Sequence, residues 1–126
     1  MEEVGPNIFM ITETGTMGAL MPPVNVYVIA GHDGLIFDTG YGRRKILAHL
    51  AKELERIEAV VTGRGQPFHI RRALPSHTHP DHFSGLRFLQ KRFGIQSVLT
   101  PAMAANMKPK KLYYQGAVNR RFRTSR

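Results

Sequence analysis

Cysteine is absent from this 126-residue chain, and so is tryptophan. Without thiols there is no disulfide framework, and any metal site must be built from imidazole and carboxylate rather than thiolate. Acid is also missing from the end of the chain. All nine Asp and Glu lie at or before Asp81, where eight Lys and Arg match them, whereas the ten basic residues from Arg87 to Arg126 meet no acid. The net charge of +9 therefore belongs to the last part of the chain. No long apolar run occurs. The longest, around Val26 to Ala30, is far too short to cross a bilayer, and the acidic start "MEEVGPNIFMITE" lacks the basic and then apolar pattern of a secretory leader. A cytoplasmic protein that does not enter a membrane is expected.

With 42% hydrophobic and 21% charged residues the composition is that of an ordinary globular protein. The length suits a single domain that can bury a core unaided. The expected division is a folded part over residues 1–107 and a basic tail over 108–126 that is either disordered or docks on a partner. That tail mixes seven Lys and Arg with Tyr113, Tyr114 and Phe122, a combination that suits phosphate contacts and base stacking. Nucleic-acid binding is thus one reading of it; a solvated end is the plainer one.

Apolar alternation predicts strands at Ile8 to Ile11, Val24 to Ala30 and Leu35 to Asp38, the last two joined as a hairpin by Gly31-His32-Asp33-Gly34. Ile46, Leu47, Leu50, Leu54 and Ile57 recur at helical spacing, which predicts an amphipathic helix from about Arg43 to Arg56. "TGRGQPF", Thr62 to Phe68, reads as loop, followed by a short strand near Arg72 to Ser76. A second helix is expected from about Ser84 to Arg92, stopped by Gly94, then a strand in "QSVLTP" and a short helix opened by Pro101. Strand and helix alternating after an antiparallel start implies an α/β layer.

The stretch "LPSHTHPDHFSG", Leu74 to Gly85, crowds His77, His79, Asp81 and His82 together, while only three other histidines occur in the chain. It falls at the carboxyl end of a strand and just before a helix, where open α/β sheets commonly build their sites. Residues two apart in an extended segment point the same way, so His77 and His79 can converge on one cation. The turn through Pro80 then presents Asp81 and His82 toward a second position. Imidazole and carboxylate suit zinc, manganese or iron, and a water bound there is acidified toward a pKa of ~7. His32 in a turn, His49 on a polar helix face and His69 in a loop read as surface groups.

The pattern His-x-His-x-Asp-His, "HTHPDH", resembles the metallo-β-lactamase fold superfamily. "NVYVI", Asn25 to Ile29, and "LIFDTG", Leu35 to Gly40, resemble that family's early strands and its Asp-x-Gly turn. The resemblance implies half of an αββα sandwich, a mixed sheet with helices on one face. It implies His77 and His79 as ligands of a first metal and Asp81 and His82 as ligands of a second, most simply zinc. Asp81 would also handle a proton on the metal-bound water, and Asp38 would orient the metal loop without touching the ion. The implied activity is hydrolysis of an ester, thioester, lactone, lactam or phosphoester in a small-molecule substrate.

The departure from the family is as informative. Family members are two similar halves, and the second supplies further ligands; here no His, Asp or Glu follows His82. Three accounts fit: a fragment of a longer enzyme, a natural half that pairs with a complementary second half, or a homodimer imitating the sandwich. The non-enzymatic alternative is an assembly module, or a remnant of the fold, that associates through an uncovered sheet.

Overall fold

The computed structural model describes residues 1–13, 23–76 and 84–106. Six strands run in chain order across one sheet: β1 (Glu2–Gly5), β2 (Ile8–Glu13), β3 (Val24–Ile29), β4 (Gly34–Phe37), β5 (Ile70–Leu74) and β6 (Gln96–Ser97). The first three pairings are antiparallel, and β4–β5 and β5–β6 are parallel. Parallel neighbours need a crossover, and two helices make them: α1 (Arg44–Gly63) between β4 and β5, and α2 (Leu86–Phe93) between β5 and β6. A third, α3 (Pro101–Asn106), follows β6.

All three helices lie against one face of the sheet. Alternation sends Phe9, Ile11, Val26, Val28 and Ile36 inward, where they pack with Leu50, Leu54, Ile57 and Val61 of α1 and with Leu86 and Leu89 of α2. The register sets Val28 opposite both Phe9 and Ile36, so these side chains meet in a row across three strands. One polar residue of α1 shares that inner face. Burial disfavours ionisation of Glu53, but the N-terminal ammonium of Met1 and the Arg56 guanidinium overcome this and hold its carboxyl below the usual range.

The other sheet face has no helix among the described residues. It carries Met10, Tyr27 and Phe37 in one transverse row and Ile8, Ile29 and Leu35 in the next; Ile29 is 42% exposed. This is the mixed sheet with helices on one face that the family resemblance implies.

Boundaries moved in several places. α1 runs to Gly63, beyond the expected end at Arg56, because Val61 continues the buried stripe for another turn. β5 begins at Ile70 rather than Arg72, since Ile70 pairs with Gly34 at the start of β4. β6 is only two residues long. β1 was not expected. Its sequence, EEVG, shows no apolar alternation because it is an edge strand, paired only with β2 and bearing exposed side chains. An ion pair from Arg64 to Glu3 ties this edge to the end of α1.

Candidate metal centre

β4 and β5 are parallel neighbours, so their carboxyl ends open on the same side of the sheet. Asp38 extends the pairing by one step, its N–H donating to the carbonyl of Leu74 at 2.8 Å. The chain then turns sharply. Asp38 has φ 67°, a left-handed conformation that Asp tolerates better than most residues and that costs about 1 kcal/mol or more. Its side chain is 5% exposed and is occupied: Oδ1 accepts the Ser76 N–H at 2.6 Å, and Oδ2 accepts the Ser76 hydroxyl at 3.1 Å.

The next residue acts on the other side of the loop. Thr39 is fully buried, and its Oγ1 accepts the N–H of Gly85 at 3.1 Å. A Cβ at position 85 would fall 2.5 Å from the Thr39 carbonyl oxygen, so the close approach requires glycine. Residues 77–83 lie between these anchors. His77, His79, Asp81 and His82 belong to that segment and are outside the described residues, as is the basic tail 108–126. Two consecutive side chains, Asp38 and Thr39, therefore grip the residues on either side of the histidine cluster, Ser76 and Gly85. Fixing both ends of a short loop restricts the conformations open to it.

A second carboxyl supports this turn from the core. Glu13 ends β2 on the inner face, is 1% exposed, and has no hydrogen-bond partner on either oxygen. A Cβ on Gly40, which has φ 73°, would lie 1.9 Å from Glu13 Oε1. Burial pushes the Glu13 carboxyl up to about 8, which leaves it protonated at neutral pH. The sequence carried a signal for it. Phe9, Ile11 and Glu13 share one alternating face, but a strand ended at Ile11 hides the third member.

The remaining histidines are apart from this turn. His32, His49 and His69 are exposed, and among the described residues no three His, Asp or Glu side chains gather as a metal site. Both carboxylate oxygens of Asp38 are engaged with Ser76.

This mixed sheet with helices on one face matches the fold of solved metallo-β-lactamases over less than half of their length. The superfamily profile, "Metallo-beta-lactamase superfamily", matches residues 21–120, and the chain belongs to that superfamily. Among solved structures it is similar to the DIM-1 metallo-β-lactamase, at 19% identity and a TM-score of 0.63 over 84% of this chain and 44% of that one. A β-lactamase domain protein from Burkholderia ambifaria gives 19% and 0.66 over 83% of this chain and 31% of that chain. A metallo-β-lactamase from Pontibacter korlensis gives 20% and 0.61, with 82% and 44% covered. This chain thus spans less than half the length of each. Comparison with curated protein sequences gave no match. The superfamily is generally metal-dependent, usually with zinc. No helix among the described residues is long and apolar enough to cross a membrane.

Proposed function

We propose that this chain carries the first-half metal loop of a cytoplasmic metal-dependent hydrolase. The observation that supports the reading most is the double anchor: Asp38 on Ser76 and Thr39 on Gly85, at the two ends of the histidine segment. A left-handed, buried Asp is costly to keep, and such strain clusters where a loop must be held in one geometry. His77 and His79 would hold one ion, and Asp81 and His82 a second. Zinc suits the donor set best; manganese or iron is compatible with it. Bound there, the cation supplies a Lewis acid that activates water and offsets charge developing on an ester, thioester, lactone, lactam or phosphoester. Asp81 handles the proton of the attacking water, while Asp38 keeps the loop in place.

With no His, Asp or Glu after His82 in these 126 residues, the remaining ligands come from a second half, carried by a longer form of the polypeptide or by a separate partner, or from a second copy of the chain. The test is metal content. Purified protein should hold at least one equivalent of metal per chain, and a His77→Ala, His79→Ala variant little; equal, negligible contents would reduce the cluster to ancestry.

A second reading rests on a different observation. Tyr27, Ile29, Leu35 and Phe37 remain half-buried or exposed on the uncovered sheet face, and such apolar surface favours association. In that reading the chain is an assembly module without catalysis. The nucleic-acid reading draws on the tail and has no observation among the described residues to favour it.

A further inference from the structure

The opposite end of the sheet, at the amino ends of β4 and β5, holds a groove of about 620 Å³. Its walls are the β3–β4 turn with His32 and Asp33, the residues from His69 to Arg72, Gly94 of the α2–β6 turn, and Gln96 at the start of β6. We infer that this groove binds an anion, the phosphate group of a small phosphorylated molecule or phosphate itself. The inference is independent of the metal loop, which lies at the far ends of the same strands.

The backbone of the groove is fixed. His69 N–H donates to the Gly31 carbonyl and Gly34 N–H to the His69 carbonyl, both at 2.8 Å, so the hairpin turn and the start of β5 form one unit. Gly34 sits so close to Ile29 and Ile70 that a Cβ there would come within 2.8 Å of the Ile29 carbonyl oxygen and 2.7 Å of Ile70 Cδ1. The walls hold their positions without a ligand, which removes an ordering cost from binding.

The charges are unequal. Arg71 and Arg72 are consecutive in β5, so they leave the strand on opposite sides, yet both return to Asp33: Arg72 Nη2 to Oδ2, and Arg71 Nε to Oδ1 at 3.6 Å. One carboxylate thus steers two guanidiniums and neutralises only one of them. Each guanidinium has five N–H donors in a planar fork, and Asp33 engages a single nitrogen of each. The imidazoles of His32 and His69 and the amide of Gln96 add further donors around the same space. A set of donors with one occupied acceptor, in a groove of ordinary ligand size, matches a tetrahedral oxyanion, which takes forked bonds from arginine. The arginines and Asp33 are about half exposed, so binding is weak to moderate and falls with salt.

The experiment is titration of the full-length, isotope-labelled chain, in phosphate-free buffer at about 20 mM salt, with inorganic phosphate and separately with adenosine monophosphate. Amide shifts at Gly34 and Gln96 should saturate. Tighter binding of the monophosphate makes an organic phosphate the ligand, and tighter binding of inorganic phosphate makes it the free anion. Arg71→Gln with Arg72→Gln should weaken binding at least about tenfold, the loss of one or more charge-assisted contacts. Asp33→Asn should tighten it, because the competing carboxylate is gone; this variant keeps the idea testable should the double variant fail to fold. His77→Ala with His79→Ala should leave it unchanged. Shifts that do not saturate, or that are equally strong in the arginine double variant, would overturn the assignment.

Discussion

A carboxyl group sealed from water without a single hydrogen bond is costly to bury, and far more so when ionised. Glu13 is such a group, and its pKa of about 8 against an ordinary value of 4.5 fixes how stability varies with pH. Below the ordinary value, both the folded and the unfolded chain hold the proton and titration adds no cost. As pH climbs from about 4.5 to about 8 the unfolded chain gives its proton up while the folded one keeps it, so folding loses ground steadily. Above that range both forms are ionised and the loss is complete, on the order of a few kcal/mol. Glu13→Gln keeps the shape and removes the titration. Urea unfolding at pH 5 and at pH 8 should therefore show a drop in the parent that the variant lacks; parallel behaviour of the two would contradict the assignment. At Gly40 a left-handed φ of 73° already favours glycine, and the Glu13 carboxyl lies where a Cβ would go.

At the scale of elements, α1 starts against its own dipole. Arg43 stands at the N-cap in extended geometry, φ −83° and ψ 148°, with no side-chain bond to the first turn, and Arg44 and Lys45 follow with no acid nearby in that turn. Three cations thus face the positive end of the helix. Arg43→Asp supplies both a cap acceptor and a favourable charge, and should raise stability by about 1 kcal/mol in urea unfolding. No gain would mean that the arginine makes contacts that offset a missing cap. The element as a whole was legible: Ile46, Leu50, Leu54 and Ile57 mark its buried stripe, and Gly94, with φ 69°, ends α2 where its sequence position suggests. β1 was not legible, because a solvent-facing edge strand has no inner face to write into its sequence. In the site, Asp38 could be picked out from its place in "FDTG". The bond from Gly85 to Thr39 spans 46 residues and arises only when α2 packs against the turn, so no local pattern announces it.

The described residues form one sheet covered by helices on one face. The helices protect that face, while Met10, Tyr27, Ile29, Leu35 and Phe37 line the other. Self-association through that face is expected, as a dimer or larger species in sedimentation at about 100 µM, with Ile29→Lys shifting the parent toward monomer; a monomeric parent with its fold intact would exclude a homodimer. The account turns on the Asp38–Thr39 anchor making that loop able to hold metal. Asp38→Asn tests it most directly, because Asn keeps the size and the tolerance for the left-handed turn but replaces one of the two oxygens that Ser76 uses. Zinc affinity, measured by competition with a chromophoric chelator on folded protein, should fall by roughly 10-fold or more, the usual cost of losing an outer support of metal ligands. A folded Asp38→Asn protein that binds zinc as tightly as the parent would contradict the account.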